Sequence, residues 1–108
     1  MEFVKVAEAS EIPLGHMKPV KVEGKEILIA NFDGNYYAIG DKCTHSGADL
    51  SKGKLEKNEV VCPWHKARFD VTNGKVTFQP KVLFRQLHLE DEPSYEVKLD
   101  GNSILVKV

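Results

Sequence analysis

Short stretches of alternating apolar and polar residues recur along the chain, separated by turn-forming residues. An apolar residue at every second position predicts half-buried β-strands, because successive side chains of a strand point to opposite faces of the sheet. No stretch of ten or more residues shows a helical period. The pattern therefore predicts an all-β protein, a small antiparallel sandwich or barrel. The predicted strands are residues 3–6, 19–22, 27–32, 36–39, 95–99 and 104–108.

Glycine-containing turns join these strands in pairs. An Asp-Gly pair between apolar runs is a strong hairpin signal, since glycine readily adopts the positive φ that such turns need. We expect hairpins across residues 23–26, Asp33-Gly34 and Asp100-Gly101-Asn102. Residues 7–15 are expected to form a connection with a single helical turn at most.

The middle of the chain is less regular, and several of its glycines and prolines interrupt the alternation. The length of 108 residues suits one domain. We predict a single domain over residues 1–108, with a basal β part at about 1–40 and 86–108. A loop-rich part at about 41–85 is inserted between them, and function is expected there.

The composition is that of a soluble globular protein, with 42% hydrophobic and 29% charged residues. The first residues lack a basic segment followed by an apolar one, so they do not resemble a signal peptide. No apolar run approaches the length that spans a bilayer. We therefore expect a cytoplasmic protein with no membrane partner.

Charge is unevenly placed along the chain. Residues 50–85 carry eight Lys or Arg against three Asp or Glu, whereas the segments on either side are both net acidic. This basic region predicts a docking surface for an acidic protein, with a solvated face that has no partner as the equal alternative. The pI near 6.4 and the lack of a basic stripe with interleaved aromatics argue against nucleic acid.

Two short motifs in the middle of the chain each combine a cysteine with a histidine. The first contains Cys43 and His45, and the second contains Cys62 and His65. These are the only two cysteines of the chain, whereas two further histidines, His16 and His88, lie outside the motifs. Each motif thus offers one thiolate and one imidazole.

Two kinds of metal centre suit these donors. Zinc accepts two Cys and two His, although zinc sites commonly group Cys with Cys and His with His. A 2Fe–2S cluster with both cysteines on one iron and both histidines on the other suits two loops that each give one ligand to each iron. The ligand types alone do not exclude zinc. Three other interpretations have less support from the sequence: a disulfide, two buried structural thiols, and a nucleophile–base pair of Cys43 with His65.

Both motifs resemble the ligand loops of the Rieske iron–sulfur proteins. The resemblance rests on residues 43–50 and 62–70, and Gly74-Lys75-Val76 with Pro80 resemble the segment that closes over the cluster in that family. It implies one 2Fe–2S cluster, with the buried iron bound by the cysteines and the exposed iron by the histidines. It also implies a soluble one-electron carrier, not an enzyme, between a reductase and an oxygenase or another redox enzyme.

Several positions depart from the family pattern. The respiratory members have a disulfide between two further cysteines, where this chain has Ala48 and Trp64. High-potential members have a hydrogen-bonding serine and tyrosine where this chain has Ala67 and Phe69. The resemblance is thus to the low-potential oxygenase-ferredoxin-like branch, and we expect a low potential. Lys66 replaces a glycine that is common in the family, so the turn of the second loop need not have the geometry typical of the family.

Other assignments stay open. A Rieske-type small subunit of a larger oxidoreductase, such as nitrite reductase, is one alternative, and a structural zinc-binding interaction domain is another. An entire oxygenase subunit needs a second domain with a mononuclear iron, for which 108 residues leave no room. Trp64 is expected either to shield the cluster or merely to pack. The basic side chains of Lys66, Arg68, Lys81 and Arg85 either guide a partner or form an inert patch.

Overall fold

The computed structural model describes residues 3–43, 47–63, 66–78, 81–82, 85–86 and 90–108. Thirteen strands and two short 3-10 turns, Ala9–Glu11 and Leu50–Lys52, form in this part of the chain. The strands are β1 (Phe3–Glu8), β2 (Met17–Val22), β3 (Lys25–Phe32), β4 (Asn35–Gly40), β5 (Lys54–Glu56), β6 (Glu59–Val61), β7 (Arg68–Asp70), β8 (Val76–Phe78), β9 (Lys81–Val82), β10 (Arg85–Gln86), β11 (Ser94–Tyr95), β12 (Val97–Asp100) and β13 (Ser103–Lys107). The described residues contain no helix that is long and apolar enough to cross a membrane.

The strands form antiparallel sheets, which confirms the predicted all-β class. One sheet has the order β1-β13-β12, a second β11-β4-β3-β2 and a third β5-β6-β7-β8. A small ribbon pairs β9 with β10. The third sheet and the loops beside it come from the middle of the chain, where the sequence predicts function.

Two-residue turns close the hairpins of the second sheet. Val22 pairs with Lys25 and Phe32 pairs with Asn35, so each turn has two central residues. All four central residues have positive φ, as the right-handed twist of the adjoining strands favours. The Asp33-Gly34 turn is as predicted. The first turn is shorter than the predicted 23–26 connection, because β3 begins at Lys25.

Strand β3 is buried on both faces, where the sequence predicts a half-buried strand. Ile27 and Ile29 point into one apolar core and Leu28 and Ala30 into the other, and all four are at most 1% exposed. The second sheet is therefore a middle layer with a core on each side, and strict alternation disappears from a strand that water does not reach.

The core on the loop side contains both cysteines. It joins residues of the middle sheet to residues of the third sheet and of the two cysteine loops, namely Leu28, Ala30, Ile39, Cys43, Leu50, Val60, Cys62, Ala67, Phe69 and Val71. The opposite core joins the middle sheet to β1 and β13. The middle sheet is thus the platform against which the cysteine loops pack.

Residues 91–93 form a strap between the second and third sheets. The Glu92 N–H donates to the Gly74 carbonyl at 2.7 Å, and the Gly40 N–H donates to the Pro93 carbonyl at 2.9 Å. The Asp91 carboxylate also accepts the Val76 N–H at 2.9 Å. The strap approaches Gly74 so closely that an added Cβ would lie 2.2 Å from the Glu92 carbonyl oxygen.

A matched pair of glycine substitutions tests the strap. Gly74 and Gly24 have φ of +80° and +81°, but only Gly74 has atoms within 4 Å of an added Cβ. Gly24→Ala should cost about 1 kcal/mol from the positive φ alone. Gly74→Ala should cost about 1–3 kcal/mol more, because the strap must move. Urea unfolding of the holoprotein measures both, and equal losses of stability would contradict a tight strap.

Candidate metal centre

The two cysteines occupy comparable places at the ends of strands. Cys62 directly follows β6, and Cys43 lies three residues beyond the end of β4. Both are buried, at 0% and 4% exposure, and both belong to the core on the loop side. Their sulfurs are not joined in a disulfide. The structure therefore brings together the two predicted sulfur donors in one apolar environment.

The two predicted nitrogen donors, His45 and His65, lie outside the described residues. The same is true of Trp64, Pro80 and His88, so their predicted roles stay predictions. Within the described ranges, no group of three or more His, Cys, Asp or Glu side chains stands together as a metal site. Those ranges contain only the two sulfur donors of the predicted ligand set.

The two cysteine loops share one pattern of backbone hydrogen bonding. The Cys43 N–H donates to the Ala48 carbonyl at 2.8 Å, and the Cys62 N–H donates to the Ala67 carbonyl at 2.7 Å. In each loop the acceptor is the fifth residue after the cysteine. Two stretches of different sequence therefore close over the same number of residues and place their cysteines equivalently.

The residue before each acceptor alanine has a left-handed backbone. Gly47 has φ of +73° in the first loop, and Lys66 has φ of +64° in the second. Glycine adopts this region without strain, whereas a lysine there costs about 1–2 kcal/mol. The replacement of glycine by Lys66 thus leaves the turn geometry intact and places a cation in it.

A buried carboxylate supports the first loop. Asp41, at 4% exposure, accepts the Ser51 N–H at 2.8 Å and the Ser51 hydroxyl at 3.2 Å. Its backbone carbonyl accepts the Leu50 N–H at 2.6 Å. Burial raises the pKa of Asp41, and the two bonds from Ser51 act in the opposite direction. Sequence reasoning did not identify this contact, because nothing in the spacing of Asp41 and Ser51 distinguishes it from ordinary loop residues.

An exposed charge cluster closes the base of the same loop. Lys42 and Asp49 are bridge partners in the backbone and also form a side-chain ion pair. Lys52 contacts the other carboxylate oxygen of Asp49 at 3.4 Å. The hydrogen bond from Lys42 lowers the pKa of Asp49. These groups face solvent, so they are worth little to stability and mainly fix where the loop ends.

A close approach at Gly53 joins the bases of the two loops. A Cβ at Gly53 would lie 1.8 Å from the Val61 carbonyl oxygen, and Val61 immediately precedes Cys62. The φ of Gly53 is an ordinary −84°. Glycine is thus needed here for space and not for conformation. The sequence alone does not distinguish Gly53 from the other glycines in the middle of the chain.

The second loop has no side-chain hydroxyl at the two positions noted in the sequence. Ala67 and Phe69 are 2% and 0% exposed and pack in the same core as Cys62. Their surroundings are apolar, and neither side chain can donate a hydrogen bond.

Comparisons with known proteins agree with this architecture. The model of the Rieske [2Fe-2S] domain matches residues 2–87. The ferredoxin component of the naphthalene 1,2-dioxygenase/salicylate 5-hydroxylase systems of Ralstonia sp is 36% identical over 106 residues, which are 98% of this chain and 95% of that protein.

Solved structures show the same similarity. The ferredoxin of carbazole 1,9a-dioxygenase from Nocardioides aromaticivorans IC177 matches with a TM-score of 0.83 and 30% identity, over 98% of this chain and 97% of that one. A chain in the complex of reduced oxygenase and oxidized ferredoxin in carbazole 1,9a-dioxygenase matches with a TM-score of 0.82 and 27% identity, over 96% and 91% of the two chains. With its paired cysteine loops and three-layered fold, the chain belongs to the Rieske [2Fe-2S] domain family and is an electron-transfer protein that carries one Rieske-type 2Fe–2S cluster.

Proposed function

We propose that Cys43 and Cys62 bind one iron of the cluster and that His45 and His65 bind the other. We further propose that the protein accepts one electron at a time from a reductase and passes it to an oxygenase. The observation that carries this proposal is the pair of buried thiols at equivalent positions of two loops with the same hydrogen bonding.

The described residues fit a cluster of this kind. Thiolates are the usual protein ligands of iron–sulfur clusters, and two of them on one iron leave the second iron for the histidines. The apolar core around Cys43 and Cys62 keeps water from the sulfurs, and each loop has a histidine two or three residues after its cysteine. The bound cluster supplies a centre that changes its charge by a single electron.

The residues of the chain itself hold the donors in place. The left-handed residue of each loop turns the backbone back toward its strand, which lets the cysteine N–H reach the carbonyl of Ala48 or Ala67. Gly53 keeps the two loop bases in contact. A site held by packed elements from two sides would keep its ligands in place in both redox states of a bound cluster.

Relatives support the choice of partners. The similar proteins are named as ferredoxin components of dioxygenase systems, and one similar chain was solved together with its oxygenase. We extend this role to the present chain as a soluble, cytoplasmic carrier. We also propose that residues 1–108 are one domain, with a basal part at about 1–40 and 86–108 and a cluster-binding part at about 41–85. The third sheet and both cysteine loops fall in that second part.

The ligand assignment predicts a distinctive spectrum. Cys43→Ser, Cys62→Ser, His45→Ala and His65→Ala should each abolish or strongly change the visible absorption of the purified protein. The reduced parent protein should have an average g value below that of all-cysteine clusters, because nitrogen and sulfur ligate together. Electron paramagnetic resonance and iron and sulfide analysis measure this. His16→Ala, at an exposed histidine, is the matched control, and an unchanged spectrum in both loop-histidine variants would refute the assignment.

The left-handed lysine predicts a stabilising substitution. Lys66→Gly should raise the free energy of unfolding by about 0.5–1 kcal/mol, since glycine relieves the strain but loses more entropy on folding. Lys54→Gly removes the same charge from a strand residue and should lower stability by about 0.5–1 kcal/mol. Urea midpoints of the two holoproteins separate the cases, and a destabilised Lys66→Gly protein would show that Lys66 makes a compensating contact.

The apolar second loop predicts a low midpoint potential. We expect a value in the lower part of the range of about −150 to +300 mV, because fewer hydrogen bonds leave the reduced, more negative cluster less stabilised. Ala67→Ser should raise the potential by tens of millivolts, whereas Ala38→Ser, equally buried in the opposite core, should not. Redox titration decides, and a midpoint above about +100 mV in the parent protein would contradict the expectation.

A further inference from the structure

A basic groove runs along the outer surface beside the second cysteine loop. Its volume is about 380 Å³. The residues that line it come from the end of the first loop, from the third sheet and from the second loop, namely Lys52, Gly53, Lys54, Glu56, Val61, Cys62, Pro63, Lys66 and Arg68. Four of these side chains are cationic and one is anionic. The proposed ligand Cys62 forms part of the wall.

The register of the third sheet explains the polarity of this surface. Lys54, Val61 and Arg68 are paired in one row across β5, β6 and β7. Their neighbours Val60 and Phe69 are fully buried. Side chains alternate between the faces of a sheet, so Lys54 and Arg68 point outward on either side of Val61.

Two of the four cations are already neutralised. The Arg68 guanidinium contacts Glu56 at 3.1 Å and Glu59 at 3.3 Å, and Lys52 contacts Asp49 at 3.4 Å. Because a carboxylate of the same protein lies beside each of these cations, Arg68 and Lys52 contribute little net positive charge to the groove.

Lys54 and Lys66 are different. Both are exposed, and neither forms an ion pair with any residue that the structure describes. Lys66 also occupies the strained left-handed position at which the first loop has glycine. Neither charge therefore stabilises the fold through an ion pair among the described residues. Lys66 even destabilises its turn, because its backbone is left-handed.

We propose that this groove is the docking site for an acidic surface of the redox partner, whose carboxylates pair with Lys54 and Lys66. The proposal rests on the proposed electron-transfer function and specifies the partner's chemistry at that site. A carboxylate-bearing segment in the groove would lie against the loop of Cys62, and thus beside the cluster. Charge pairs of this exposed kind act mainly on the rate of association and on its salt dependence.

Other anionic partners fit less well. A small inorganic anion is best held by enclosed donors, whereas Lys54 and Lys66 face open solvent. A nucleic acid would meet a chain with a net charge of −1 and acidic segments on both sides of the basic region. The experiment includes both as possible outcomes.

Binding of a defined acidic peptide tests the docking site. The probe is a fluorescently labelled peptide of eight glutamates, titrated with the holoprotein at low and at high salt. Lys54→Gln combined with Lys66→Asn removes both unpaired charges, and asparagine tolerates the left-handed backbone of residue 66. Lys21→Gln combined with Lys107→Gln serves as the matched control, because these exposed lysines of β2 and β13 also form no ion pair within the described ranges.

We expect the groove variant to bind the peptide at least about fivefold more weakly than the control variant at low salt, with the difference lost at high salt. Equal weakening in both variants would overturn the proposal, because the peptide would then sense only net charge. Competition by phosphate or by a thymidine octanucleotide at lower concentrations than by unlabelled peptide would also overturn it.

Electron transfer supplies a second readout. The reduced holoprotein should be oxidised by hexacyanoferrate(III), an anion, several-fold more slowly in the groove variant than in the control, while oxidation by the cation hexaammineruthenium(III) should not slow. Equal rates with the anion in both variants would contradict docking at the groove. Failure of the proposed function is separate, since it would show as a missing cluster spectrum or as no electron transfer to either complex in the parent protein.

Discussion

The contact between Gly53 and the Val61 carbonyl is the constraint on which the site depends. The two cysteines lie 19 positions apart in the sequence, and the chain between them turns through Leu50–Lys52 and the β5–β6 hairpin. Only a residue without Cβ lets the end of the first loop lie against the strand that leads into the second. A side chain at this point would separate the loop bases by ångströms, more than ligation of one cluster tolerates.

The middle sheet gives this arrangement its support. Because β3 is buried on both faces, the core behind the cysteines is continuous with a packed layer that also contacts β1 and β13. Each fully buried Ile or Leu of this strand contributes about 1.5–3 kcal/mol through the hydrophobic effect. The strap at residues 91–93 then ties the far side of the third sheet to β4. The cysteine loops thus pack against the middle sheet, and hydrogen bonds of the strap join the third sheet to that same layer.

Much of this could be predicted from the sequence, where local rules apply. The Asp33-Gly34 hairpin follows from turn chemistry, and the all-β class follows from alternation. The cysteines were identified by their type and spacing, and the structure places both in one core. The domain division and the assignment of Cys43, His45, Cys62 and His65 as cluster ligands remain predictions.

The features that the sequence did not reveal depend on contacts between distant segments. Burial of β3 on both faces requires a third layer, which period alone does not indicate. The roles of Asp41 and Gly53 arise from neighbours about ten residues away, in elements whose positions are set by tertiary packing. The sequence does not reveal the backbone of Lys66 for a related reason, since a lysine adopts a left-handed backbone only where the surrounding loop enforces it.

The double burial of β3 also bears on how fast an electron can move. A charge change at a redox centre is slowed when nearby atoms and solvent dipoles must rearrange to accommodate it. Close-packed protein interiors have low compressibility. The core residues around Cys43 and Cys62 are apolar and almost fully shielded from water. Few polar groups in this core would have to reorient between the oxidised and the reduced protein. Most of the nuclear rearrangement that accompanies electron transfer would therefore occur on the side of the cluster away from the core.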